Sequence, residues 1–200
     1  MFPFNLNAVS SRSKKGETIA QYLLRRKSVD QYLSIMKGID PTNPIFQKIF
    51  NRFYGLNVSA GMNKTNFYNV FVAYKGKAVF SYADILKDLA NPTTGTGRVE
   101  KSFASKMLHT LKNDEPIIDS VVIKKLLADP NTKKYFTSKL KPSYTQAEAV
   151  QLHNELKNCY YKCLIPMAKK TNFFNNFDAF FPNAAAISNV KKIDFYLWTV

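Results

Sequence analysis

Cysteine is scarce in this 200-residue sequence, which contains only Cys159 and Cys163. The two cysteines lie four residues apart, and two positions on successive turns of one helix have poor geometry for a disulfide. Two cysteines are also too few for an iron–sulfur cluster or an all-cysteine zinc site. We therefore expect both to be small core residues of a protein kept in a reducing cytoplasm.

Long apolar runs and strand-like patterns are also absent. No apolar segment approaches the roughly 20 residues that a membrane-spanning helix requires, and residues 1–7 lack the basic start and apolar stretch of a secretory signal. No segment alternates convincingly between polar and apolar residues, and there are no internal repeats or low-complexity linkers. With 46% hydrophobic residues available for a core, residues 1–200 are predicted to form a single all-α domain with no membrane span.

Acidic residues are few relative to basic ones. The chain contains 14 Asp and Glu residues against 29 Lys and Arg residues, which gives a formal net charge of +15. Such an excess predicts a polyanionic partner, either a nucleic acid or an anionic membrane surface. Nucleic acid is favoured because no membrane span is expected, although a proteome rich in Lys would also produce a basic composition.

Apolar residues recur every three or four positions through most of the chain, which is the spacing of amphipathic helices. The pattern predicts helices over 18–36 (one long or two short), 44–55, 63–74, 81–90, 101–111, 120–127, 144–163, 172–181 and from 189 onward. We expect Pro166 to end the helix that begins near Tyr144. The basic run Arg25-Arg26-Lys27 is expected either on a solvated face or in contact with phosphates.

The segment 81–127 holds the most informative arrangement of residues. Two predicted helices are joined there by a turn-rich connection that contains Gly95 and Gly97. A helix–hairpin–helix presents backbone N–H groups that bind phosphate, since they are unpaired and lie at the positive end of the helix dipole. Lys101 opens the second helix, and Asp119 opens the third after an extended segment that begins at Pro116.

This order of features resembles that of the helix-hairpin-helix DNA glycosylases, most closely the branch that removes 8-oxoguanine. In that family the hairpin reads roughly Leu-Pro-Gly-Val-Gly-x-Lys, the lysine attacks the sugar, and a later aspartate follows a Pro-Val/Ile pair. Here the corresponding places are taken by Leu89-Ala-Asn-Pro92, Gly95-Thr-Gly97, Lys101 and Pro116-Ile-Ile-Asp119. The resemblance implies a helical glycosylase-like fold with a central helix–hairpin–helix at about residues 81–127.

The resemblance also implies two catalytic residues. Lys101 would attack the sugar, which requires a neutral amine and hence a lowered pKa. Asp119 would stabilise the sugar cation and transfer the proton, while the damaged base is flipped into an aromatic-lined pocket. No cofactor or metal ion is expected. The simpler alternatives are that Lys101 faces solvent and that Asp119 only caps a helix.

Gly95, Gly97, Arg98 and Lys106 are the expected DNA-contacting residues. The hairpin is longer than the family pattern, because residues 98–100 separate Gly97 from Lys101. The position of the nucleophile is therefore open between Lys101 and Lys106, and the glycines could also form a plain turn. His109 is expected at a helix surface or core edge and not in a metal site, since no His or carboxylate lies at metal-binding spacing.

The function hypothesis is a DNA glycosylase, with AP-lyase activity through a Schiff base, that excises a damaged base such as 8-oxoguanine from double-stranded DNA. We expect a monomer, associated with the nucleoid in a bacterial or phage-like cytoplasm. The alternative is a non-catalytic DNA-binding protein on the same fold, acting in genome maintenance or phage defence. A third hypothesis is an RNA-binding accessory protein.

Overall fold

A computed structural model describes residues 2–56 and 63–200, and helices dominate both ranges. The prediction of an all-α fold is confirmed. The helices are α1 (Ile19–Arg25), α2 (Ser28–Lys37), α3 (Pro44–Tyr54), α4 (Lys64–Lys75), α5 (Tyr82–Ala90), α6 (Lys101–Leu111), α7 (Ser120–Ala128), α8 (Pro130–Lys133), α9 (Gln146–Cys159), α10 (Ile165–Lys170), α11 (Phe173–Phe180) and α12 (Asn189–Thr199). Within these two ranges, strand-like pairing is limited to one bridge between Val9 and Thr18, and no helix has the length and apolarity to cross a membrane.

Capping residues set several helix boundaries. Thr18 begins α1 with a capping box completed by Gln21, and Ser81 begins α5 in the same way with Asp84. These side chains satisfy N–H groups that have no partner inside the helix. Lys27 adopts a left-handed conformation with φ of 51° and separates α1 from α2. The segment 18–36 is therefore two short helices.

Pro166 does not end the helix that precedes it, so that prediction is wrong. After α9 a π-helical turn, Tyr160–Leu164, leads directly into α10, and the N–H of Ile165 donates to the carbonyl of Tyr160. Pro166 is therefore the second residue of α10, and helical structure continues through it. The core assignment of the cysteines holds for Cys159, which is buried, whereas Cys163 is partly exposed, and both are free thiols.

Two helices, α6 and α12, bring polar side chains into the interior. Buried residues from Phe4 to Leu197 belong to one contiguous core. α6 packs against α4 and α5, whereas α12 packs against α1, α7 and α10. Both helices are buried on nearly all sides, and the buried positions include Ser105 and His109 in α6 and Lys191, Lys192 and Asp194 in α12.

Candidate functional site

A cavity of about 580 Å³ is bordered by the α1–α2 turn, the end of α3, the middle of α6, the segment before α7, and α12. Its aromatic wall consists of Phe53, Tyr54, Phe195 and Trp198. Six cationic side chains border it, namely Arg25, Arg26, Lys27, Arg52, Lys106 and Lys191, against the two carboxylates Asp119 and Asp194. The volume is within the ~300–1,000 Å³ range of small-molecule sites. The composition suits a ligand with a planar ring and negative charge.

Lys106 lies in the middle of α6 and faces this cavity. Its Nζ donates a hydrogen bond to the carbonyl of Tyr54 at 3.1 Å and lies 4.7 Å from the centroid of the Phe103 ring. Burial lowers the pKa of Lys106 to about 8, although the negative charge of Asp119 opposes the shift. An appreciable fraction of the amine is therefore neutral, and nucleophilic, near neutral pH.

Asp119 reaches the same cavity from the start of α7. Its Oδ1 accepts hydrogen bonds from the N–H groups of Val121 at 2.8 Å and Val122 at 3.3 Å, so it is also the N-cap of that helix. The segment before it is tied to α6, because the N–H of Ile118 donates to the buried Ser105 Oγ at 2.9 Å. α6 therefore carries Lys106 and also, through Ser105, fixes the extended segment that leads to Asp119.

Lys101 is not among the cavity-lining residues. It is the first residue of α6, and its Nζ lies 4.3 Å from the centroid of the Tyr144 ring. Five residues along an α-helix amount to about 7.5 Å of rise and a turn of about 140°, so Lys101 and Lys106 point to different faces. The expected meeting of Lys101 and Asp119 in one cleft is therefore not found, and Lys106 takes that place.

The hairpin glycines do not offer free N–H groups. The N–H groups of Gly95 and Gly97 both donate to the carbonyl of Asn91, at 3.0 and 3.2 Å. Gly95 is also buried, and a Cβ there would lie 2.1 Å from the carbonyl oxygen of Asp88. Glycine at 95 is explained by close packing on the end of α5. This corrects the basis on which both glycines were expected to bind phosphate.

Gly97 and Arg98 are exposed at the hairpin, away from the cavity. Gly97 has φ of 71°, a left-handed conformation that favours glycine. The Nε of Arg98 lies 3.5 Å from the Oε1 of Glu100, which occupies the N-cap position of α6 without capping it by its side chain. Of the four residues expected to contact DNA, Lys106 alone lines the cavity.

His109 is fully buried, so its expected place at a surface or core edge is wrong. Its Nδ1 lies 2.6 Å from the carbonyl of Glu115, and because a carbonyl only accepts, Nδ1 carries the proton. Its Nε2 then accepts from the Tyr32 hydroxyl at 2.9 Å. Burial lowers the pKa of His109 to about 3, which keeps the ring neutral. No group of three potential metal ligands occurs in residues 2–56 and 63–200.

Several cavity residues were not identified from the sequence. The run Arg25-Arg26-Lys27 was recognised as a possible phosphate contact and does border the cavity, with Arg25 paired to Glu17 at 2.6 Å. The contributions of α12 were missed. The signal that could have found them is a lysine and an aspartate three residues apart, Lys191 and Asp194, inside an otherwise mostly apolar helix.

Comparisons with known proteins leave the function to be inferred from this cavity. No protein-family model matches the chain, and no curated protein or solved structure matches it either. The cavity, its charges, and the Lys106 and Asp119 side chains that line it are therefore the basis for the proposal that follows.

Proposed function

We propose that this protein is a DNA glycosylase with AP-lyase activity, in which Lys106 is the nucleophile and Asp119 is its partner. The observation that supports the proposal most strongly is that Lys106 and Asp119 line one cavity with an aromatic wall and a largely cationic border. A flipped nucleotide needs such surroundings, because its base stacks against rings and its phosphates are attracted to cations.

The lowered pKa of Lys106 supports the nucleophilic role. With a pKa of about 8, Lys106 carries the neutral amine at pH 7.5 in a far larger fraction of molecules than an ordinary lysine, whose pKa is about 10.4. Neutral amines attack electrophilic carbon, whereas ammonium groups do not. The aromatic and apolar surroundings that remove water from the amine are therefore part of the proposed mechanism.

In the proposed reaction, the lone pair of Lys106 Nζ forms a bond to C1′ of the sugar as the bond between C1′ and the base breaks. The electron pair of that bond leaves with the base, which takes up a proton. The Asp119 carboxylate stabilises the positive charge that develops on the sugar, accepts the proton that the amine loses and passes it to the departing base. Cleavage of the bond between C1′ and O4′, with the remaining amine proton moving to O4′, gives an imine. Loss of a C2′ proton to water then expels the 3′ phosphate.

Borohydride trapping tests the proposal, because borohydride reduces the imine to a stable secondary amine that links protein to DNA. The full chain is incubated with duplexes that contain an abasic site or 8-oxoguanine. We expect an adduct with the unaltered protein and none with Lys106→Gln. Lys101→Gln is the matched control, since it alters a second partly buried lysine of the same helix and is expected to retain the adduct.

Two results would change the assignment. Loss of the adduct in Lys101→Gln but not in Lys106→Gln would move the nucleophile to residue 101. If no duplex gives an adduct or loses a base, and the protein nevertheless binds DNA in a salt-dependent way, the non-catalytic DNA-binding function replaces the enzymatic one.

A further inference from the structure

A buried ion pair on α12 faces the cavity beside Lys106. Lys191 Nζ lies 2.6 Å from Asp194 Oδ2, and only 4% and 11% of the two side chains are exposed. The ammonium group of Lys191 is surrounded by aromatic rings whose centroids lie 4.7–5.6 Å away, those of Tyr32, Phe53, Tyr54 and Phe195. Removing two charges from water costs about as much as their attraction returns, and well-packed hydrophobic residues are often as stabilising. Stability alone therefore does not explain this pair.

Lys191 and Lys106 both lie close to the Tyr54 ring. The Nζ of Lys191 lies 5.6 Å and the Nζ of Lys106 6.0 Å from the centroid of that ring, and both lysines line the cavity. Two like charges in surroundings from which much of the water is excluded repel each other more strongly than at the protein surface. The repulsion acts against the charged form of Lys106.

We propose that Lys191 and Asp194 are positioning residues that adjust the protonation state of Lys106. Lys191 disfavours the ammonium form of Lys106, and Asp194 limits this effect by neutralising part of the charge of Lys191. The proposal rests on the nucleophilic role of Lys106 for its functional meaning. Its physical content, a coupling between three side chains, can be measured without any reaction.

The charged groups that face Lys106 come from two elements besides its own helix. Asp119 at the start of α7 raises the pKa of Lys106, and on α12 Lys191 lowers it while Asp194 raises it, with burial as the largest influence. The α3 residue Tyr54 contributes a neutral ring and a carbonyl. The remaining cations lie at the exposed rim, where water and salt screen them.

The experiment measures the apparent pKa of Lys106 directly in the full-length protein. Trace acetylation with acetic anhydride is followed across pH, and mass spectrometry of the peptides reports the reactivity of this one lysine. Lys191→Met is expected to raise the apparent pKa, by a shift on the order of half a unit. Asp194→Asn is expected to lower it, because Lys191 is then left uncompensated. Lys191→Arg keeps the charge and should remain close to the unaltered protein.

Lys192 is the matched control, since it is the next residue of the same helix and has the same 4% exposed side chain. It also pairs with an aspartate, Asp178, at 2.6 Å, but neither residue lines the cavity. Lys192→Met leaves a carboxylate without its lysine partner as Lys191→Met does, although Asp178 is more exposed than Asp194, at 36% against 11%. We expect the apparent pKa of Lys106 to change in Lys191→Met and to stay constant in Lys192→Met.

Shifts of opposite sign in the apparent pKa of Lys106 in Lys191→Met and Asp194→Asn support the coupling. A general loosening of the fold would shift this pKa in the same direction in both variants. Shifts of the same sign, or an unchanged apparent pKa in both variants, would overturn it. If Lys191→Met does not fold, the other two variants still test the coupling. A lower apparent pKa of Lys106 in Asp194→Asn, with an unchanged apparent pKa in Lys191→Arg, supports it. Correct shifts without any trapped DNA adduct would retain the coupling and reject the glycosylase function.

Discussion

The charged amine of Lys106 loses hydration on folding, and this loss lowers the free energy of unfolding. A pKa of about 8 in place of the ordinary 10.5 corresponds to about 3 kcal/mol, since one pKa unit is worth about 1.4 kcal/mol. The cost is fully present below pH 8, where the lysine is protonated in the folded and unfolded states alike. It disappears as the pH rises from 8 to above 10.5, because the folded protein releases this proton first.

Lys106→Met should therefore stabilise the protein at pH 7 while abolishing the trapped adduct. Thermal unfolding is expected to shift upward by several degrees, since about 1 kcal/mol moves the midpoint of a domain of this size by about 2–4 °C. The difference from the unaltered protein should shrink when both are measured at pH 9.5. If Lys106→Met melts below the unaltered protein, and the difference in melting temperature does not depend on pH, burial of the charged lysine does not destabilise the fold.

Residue type alone did not predict the environments of His109 and Lys191. Lysine is mostly exposed in proteins and histidine is intermediate, whereas both residues are buried here. The partners of His109 are the carbonyl of Glu115 and the hydroxyl of Tyr32, and Tyr32 is 77 positions away in the sequence. Such contacts exist only once the helices have packed.

At the scale of elements, the two hairpin glycines should differ sharply in their tolerance of substitution. In Gly95→Ala the new Cβ would lie 2.1 Å from the carbonyl oxygen of Asp88 and 2.5 Å from that of Leu89, and these backbone atoms cannot move without displacing α5. In Gly97→Ala the nearest atom to the new Cβ is 3.5 Å away, so no clash is expected. The remaining cost is that of a left-handed conformation for alanine, about 1 kcal/mol. Urea unfolding should show that Gly95→Ala loses several-fold more free energy of unfolding than Gly97→Ala.

Equal losses in the two variants would mean that the hairpin does not pack on α5 as described. The same pair separates packing from recognition. Because the N–H of Gly97 is already paired with Asn91, Gly97→Ala is expected to keep DNA affinity within a few-fold of the unaltered protein.

Local chemistry explains which element boundaries the sequence could predict. The starts of α5 and α7 were predicted because Ser81 and Asp119 are caps that act within one turn. The continuation of helical structure through Pro166 was not predicted, since a π-helical turn depends on how α9 and α10 pack. The choice between Lys101 and Lys106 also stayed open, because the hairpin is longer than the family pattern and the position of the nucleophile along α6 could not be fixed from the motif.

For the whole molecule, the net charge of +15 predicts binding to a polyanion, and we expect the binding surface to include the rim of the cavity. Arg26 and Lys27 are exposed at its rim. We expect the double variant Arg26→Ala/Lys27→Ala to reduce the slope of log affinity against log salt by about 2, since each phosphate contact contributes about 0.9. Fluorescence anisotropy with an abasic duplex at several salt concentrations measures this slope.

Lys169 and Lys170 provide the control for that experiment. Both are exposed at the end of α10 and do not line the cavity. Lys169→Ala/Lys170→Ala removes the same total charge and should leave the slope nearly unchanged. Equal reductions in the two double variants would indicate a diffuse electrostatic attraction without a binding surface at the cavity.

The all-α class and the basic character of the chain were predictable because periodicity and charge are properties of the sequence itself. The cavity was not, because its lining runs from Arg25 to Trp198 and is assembled from five separate parts of the chain. The glycosylase-like fold and the enzymatic function remain proposals that rest on this assembly.

The most direct measurement is identification of the residue that carries the reduced sugar adduct. The unaltered protein is trapped with borohydride on a duplex containing an abasic site, digested with nuclease and protease, and analysed by tandem mass spectrometry. The proposed function predicts the adduct mass on Lys106, with Lys101 recovered unmodified. An adduct on Lys101 or on any lysine outside the cavity, with Lys106 unmodified, would contradict the assignment.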